Sequence, residues 1–115
     1  MHLIKFLVFL VLTVSFNALA EDEGKIGFTG KIGVDGFFSP EITSFIVEEV
    51  KSNSPAEKAG ILAGQTILSI DGCKIPGCSA NKAKKSLKNR KPGDILTLLI
   101  EKQNGTQVLI DIHIE

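Results

Sequence analysis

The sequence predicts a small α+β barrel behind an N-terminal export signal, and three observations carry that prediction. Short runs with strand-like alternation recur along the chain, a Ser-Pro-Ala-Glu capping box marks one helix start, and an Asn-Gly pair separates the last two apolar runs. The chain has 115 residues, with 13 Lys and Arg balanced by 13 Asp and Glu. A body of this size forms one domain, which excludes a large multi-domain enzyme. Balanced charge gives no reason to expect nucleic acid or an anionic membrane as the main partner.

Fifteen of the first twenty residues are apolar. A basic start ends at Lys5, an apolar run follows from Phe6 to Val14, and Ala18-Leu19-Ala20 supplies the small residues a signal peptidase reads. Residues 1–20 are therefore expected to be a signal peptide cut between Ala20 and Glu21, leaving 21–115 as a single domain. The apolar core is shorter than the ~20 residues that span a bilayer, so no stable membrane insertion is expected after cleavage. The mature protein is expected in the periplasm or outside the cell.

Export changes the reading of Cys73 and Cys78, the only two cysteines. In an oxidising compartment an even pair is first a disulfide candidate. Closing so short a loop stabilises by about 2 kcal/mol in the chain-entropy model, which makes it a local clip. The spacing is not that of redox or zinc sites, and His113 is the only imidazole beyond the leader. No metal and no cofactor is expected.

From Gly24 to Val34 the chain carries an imperfect repeat, GKIGFT then GKIGVD, read as a strand, a turn and a loop. Phe37-Phe38-Ser39-Pro40 breaks that pattern. Residues 45–50 read as a strand with Phe45 and Val47 on one face. Ser54-Pro55-Ala56-Glu57 has the cap, the first-turn proline and the glutamate of a capping box, and Gly60 ends the helix. Residues 66–71 are the next strand, closed by Asp71-Gly72. From Ser79 to Lys88, Ala80, Ala83 and Leu87 form a narrow apolar stripe on a helix that Pro92-Gly93 terminates. Residues 95–101 and 107–114 flank Asn104-Gly105 as a hairpin.

The block from 45 to 72, FIVEEVKSNSPAEKAGILAGQTILSIDG, resembles a PDZ domain of the bacterial, exported, single-domain kind. It has the family's strand, its Ser-Pro-Ala-x-x-Ala-Gly-Ile helix, and its second strand ending in Asp-Gly. The helix after Ser79 and the closing strands continue in the family's order. Gln65 departs from the pattern, which usually has Asp or Glu there. The resemblance implies a partly open β-barrel of five to six strands capped by two helices. It also implies a non-catalytic module that captures C-terminal or extended segments of partner proteins by strand addition in the cell envelope.

In that family a φ-Gly-φ loop holds the terminal carboxylate with successive backbone N–H groups. Two segments match it. Ile32-Gly33-Val34, after Lys31, suits the compact spacing to Ser54, leaves 26–29 as the first strand, and is preferred. Ile26-Gly27-Phe28, after Lys25, is closer in letters to the family's Gly-Leu-Gly-Phe. Either lysine is placed to steer a carboxylate. Ala80, Ala83 and Leu87, with Lys84 at the rim, would form the groove's helix wall and select a terminal Val, Leu, Ile or Phe. No histidine starts this helix, so hydroxyl selection upstream is not expected.

No catalytic residue is assigned. His113 alternates with Ile112 and Ile114 as a solvent-face strand residue, and no Gly-x-Ser-x-Gly elbow occurs. An alternative function rests on the basic run 82–91, six of whose ten residues are Lys or Arg. There the protein would dock on a polyanion or surface with an inactive groove, and binding would depend steeply on salt. The expected partner is a tail or internal extended segment of an envelope protein, with an envelope protease or a secretion component as candidates.

Overall fold

A computed structural model describes residues 25–115; the expected signal peptide and its expected cleavage site at Ala20 and Glu21 lie outside the described residues. The chain runs β1 (Phe28–Asp35), β2 (Glu41–Val50), α1 (Pro55–Ala59), β3 (Thr66–Ile70), β4 (Cys73–Lys74), α2 (Ala80–Lys88), β5 (Ile95–Glu101) and β6 (Gln107–His113). The six strands form one antiparallel sheet in the order β1-β2-β3-β5-β6, with β4 paired to β3. β1 and β6 are not paired with each other, so the sheet curls without closing. This is the partly open, two-helix architecture the sequence predicts. Among the described residues no helix is long and apolar enough to cross a membrane.

The core follows from period-2 alternation. Phe45 and Val47 point inward from β2 while Ile46 is 41% exposed, and Ile42 joins the inward face because a register shift opposite Gly33–Val34 moves the alternation by one residue. From β5, Leu96, Leu98 and Ile100 are fully buried, and Ile67 and Ile70 meet them from β3. Ile112 and Ile114 complete the set, leaving His113 exposed as expected.

Both helices are built by their caps. Ser54 Oγ accepts the Glu57 N–H at 3.2 Å, and the Glu57 carboxylate returns to the Asn53 N–H at 2.8 Å. After Ala59, the N–H groups of Gly60 and Ile61 satisfy the carbonyls of Glu57 and Ala56 and stop α1 at just over one turn. Ser79 caps α2 through the Lys82 N–H. Gln65 is 4% exposed and its Oε1 accepts the Leu62 N–H at 3.0 Å, so the amide closes this turn without the family's carboxylate.

Cys73 and Cys78 are joined by a disulfide with Cα atoms 5.3 Å apart. The clipped loop is tied to β2, since Ile42 N–H donates to the Cys78 carbonyl and Gly77 N–H donates to that of Ile42. The clip therefore fixes the segment that launches α2. Replacing both cysteines by serine is expected to lower the unfolding free energy by about 2 kcal/mol, read as a lower urea midpoint at unchanged slope.

Candidate functional site

The two Ile-Gly segments of the repeat occupy different kinds of structure. Ile32-Gly33-Val34 lies inside β1, where Ile32 pairs with Phe45, Gly33 with Ser44 and Val34 with Ile42. The expectation of a loop at Lys31–Val34, with 26–29 as the first strand, is corrected: the strand is 28–35 and the loop precedes it. The reason is that β2 starts at Glu41, four residues earlier than the apolar pattern indicates. The hairpin turn thus falls at 36–40, and everything back to Phe28 is drawn into the ladder.

Lys25-Ile26-Gly27-Phe28 forms the approach to β1, with Lys25 exposed. The Ile26 carbonyl accepts the Ala56 N–H at 2.9 Å and the Gly27 carbonyl accepts the Lys51 N–H at 2.8 Å. Acceptors are thereby turned toward the body of the domain. Because Lys51 reaches Gly27 while Phe28 is the partner of Val50, Phe28 occupies a non-hydrogen-bonded site, and its N–H faces away from β2. Gly27 sits at φ 98°, the left-handed conformation that re-aims successive peptide groups. An outward Phe28 N–H beside two inward carbonyls, at a glycine in the left-handed region, is the kind of geometry from which an anion-binding nest is built.

Beside this loop lies an apolar groove of about 270 Å³, lined by Ile26, Gly27, Phe28, Gly30, Ile32, Phe45 and Leu87. β1 forms one wall and α2 the other. Gly30 is needed because β1 crosses the Phe45 ring closely; a Cβ there would lie 2.2 Å from Phe45 Cε1. Among the described residues no strand pairs with the outer edge of β1, so its free peptide groups run along the groove. A larger cavity of about 540 Å³ lies on the Lys51–Pro55 side of the loop, where the carbonyls of Ile26 and Gly27 point. Lys25 and Lys51 line that cavity together with Glu49 and Glu115.

Of the predicted helix wall, Leu87 reaches the groove. Ala83 is 2% exposed and belongs to the core, Ala80 packs against the core, and Lys84 is exposed on α2. Phe28 lines the groove as well as the loop the sequence offers as the alternative, whereas Gly30 and Phe45 are not among the predicted site residues; Phe45 is buried in the core and serves as groove floor as well. The basic run is divided. Lys82, Lys84, Lys85, Lys88 and Lys91 are exposed, whereas Arg90 is ion-paired with Asp71 and also donates to the Ile95 carbonyl. Asp71 in turn accepts the Thr97 N–H at 2.9 Å, so Arg90 braces the β3–β4 turn.

A family model for the PDZ domain matches residues 17–101. The chain belongs to the PDZ domain family. PDZ domains are non-catalytic interaction domains. Rat syntenin-2 is 39% identical over 71 residues, which cover 61% of this chain and 21% of that protein; the chain thus spans about a fifth of its length. The HtrA3 PDZ domain bound to a phage-derived ligand (FGRWV) superimposes with a TM-score of 0.57 at 22% identity. That match covers 80% of this chain and 85% of the other. The HtrA-type protease AlgW with a decapeptide gives a TM-score of 0.58 at 20% identity, covering 91% of this chain and 34% of that one. At these identities the two structures establish the shared fold.

Proposed function

We propose that this PDZ domain captures the C-terminal tail of a partner protein by adding it as a strand to the free edge of β1. The observation that carries the reading is the unpaired β1 edge facing Leu87 across an apolar groove, with the Ile26–Phe28 loop at one end. The terminal carboxylate is held by backbone N–H groups of Ile26-Gly27-Phe28, of which that of Phe28 faces outward, and Lys25 supplies a nearby positive charge. The last side chain enters the pocket between Phe28, Phe45 and Leu87, which selects an aliphatic or aromatic residue. The register at Lys31–Val34 is set aside, because peptide groups inside a paired strand do not converge on one anion. Peptide ligands in the HtrA3 and AlgW structures support the class of ligand.

The leader-like residues 1–20 support export, with the domain acting in the periplasm or outside the cell on an envelope protein such as a protease or a secretion component. The test is binding of the chain lacking residues 1–20 to peptides ending in Val, Leu or Phe, each as free acid and as amide. The free acid is expected to bind roughly tenfold tighter or more, the worth of a charge-assisted hydrogen-bond pair. Leu87→Lys is expected to weaken both forms. Equal binding of acid and amide would remove carboxylate recognition. Loss of binding with rising salt, unaffected by Leu87→Lys, would instead assign it to the lysines of α2.

A further inference from the structure

The β1 wall continues beyond the residues that line the groove. Residues 28, 30, 32 and 34 of β1 share one face, and Ile32 and Val34 on that face are 43% and 53% exposed. Next in the chain, at the β1–β2 turn, Phe37 and Phe38 are 91% and 93% exposed. Their rings meet edge to face, with centroids 4.9 Å apart at 87°. The Ala80 N–H donates to the Pro40 carbonyl, which sets the base of this turn against the start of α2. The groove thus has the Ile26–Phe28 loop at one end, and the β1 strand that walls it leads at the other to a turn that carries two exposed phenylalanines. Single exposed apolar residues are ordinary, whereas an adjoining set of four in line with a groove is a contact surface awaiting an occupant.

We infer that Phe37 and Phe38 form an upstream subsite for a large apolar side chain of the same bound peptide. This rests on the tail-capture reading. A carboxylate held at the Phe28 end makes the added strand run antiparallel to β1. From Phe28 to Asp35 is seven residue steps, about 23 Å of strand. A ligand residue about six to nine positions before the C-terminus then arrives at the turn. The recognised segment is thus close to ten residues long, with apolar side chains at both ends. The exposed carboxylates of Asp35 and Glu41 face each other across the base of the turn. They oppose an anionic lipid surface at this tip, which favours a peptide as the occupant.

The experiment compares a decapeptide carrying Phe at one of those upstream positions, its Ala counterpart, and the shared C-terminal pentapeptide. The Phe decapeptide is expected to bind roughly tenfold tighter than the other two. The double substitution Phe37→Ala, Phe38→Ala is expected to erase that gain, while the pentapeptide, which ends short of the turn, binds as before. Both side chains are exposed, so the variant keeps its core. Equal affinity of all three peptides, or a gain that survives the double substitution, overturns the upstream subsite and leaves tail capture standing. Failure of every peptide to bind overturns both. Vesicles containing an anionic phospholipid that bind the wild type and lose the double variant, with the peptide series unmoved, would reassign the turn to lipid.

Discussion

Replacing Gly27 by valine is expected to destabilise the domain by about 3–5 kcal/mol, a large share of the stability of a domain this small. Two independent costs meet at this position. Its φ of 98° is strained for any residue with a Cβ, and that Cβ would fall 2.1 Å from Ser54 Cβ and 2.4 Å from Ser54 Oγ. Ser54 has no room to retreat. Its hydroxyl donates to the Lys51 carbonyl at 2.7 Å and accepts the Glu57 N–H, so moving it undoes the cap of α1. Gly60 separates the two costs. Its φ is 95°, yet nothing lies within 4 Å of where its Cβ would be. Gly60→Ala should therefore cost only the conformational part, about 1 kcal/mol. Urea unfolding of both variants checks this. Equal losses would mean that the loop opens away from α1 freely, and that Ser54 does not hold the proposed nest in shape.

Long-range contacts explain why the proposed binding loop is hard to read from sequence while the helices and the last hairpin are plain. The helices announce themselves through Ser54, Pro55 and Glu57 and through the stripe of Ala80, Ala83 and Leu87, and β5 and β6 through the apolar runs that flank Asn104-Gly105. Each of these signals is local. β1 carries no such signal, because Gly30 stands on its inward face where an apolar side chain would have marked the alternation, and the ring of Phe45 occupies that space. The repeated Ile-Gly pairs are interchangeable as letters. What distinguishes them is non-local: the carbonyls of Ile26 and Gly27 are claimed by Ala56 and Lys51, whereas Gly33 pairs with Ser44. β4 escaped notice for a similar reason. It is two residues long and exists because the Asp71-Gly72 turn and the disulfide fold Cys73 back onto Ile70. The exposed turn at Phe37 and Phe38 reads from sequence only as a break in pattern, since nothing in two adjacent phenylalanines says which way they face.

Phe45→Ala is expected to be the other severe substitution, lowering stability by about 3–5 kcal/mol and changing the ligand pocket as well. The side chain is 2% exposed, the largest within the buried core, with its ring 6.1 Å from that of Phe28 and tilted at 46°. It also forms the floor of the groove and fills the space left open by Gly30. Truncation removes transfer energy and leaves a cavity continuous with the pocket, which solvent or a ligand side chain can enter. The two roles separate in one pair of measurements. Stability should fall with or without ligand, but binding of peptides should shift toward bulkier terminal residues, Phe gaining relative to Val. A compensating Gly30→Ala change would place a methyl group where the ring had been and should restore part of the lost stability. The two substitutions would then be strongly non-additive, as expected of residues that share one volume. If the double variant were instead less stable than Phe45→Ala alone, the space at Gly30 would be held by the backbone path of β1 and not by the ring. The pocket's shape would then be independent of the core beneath it.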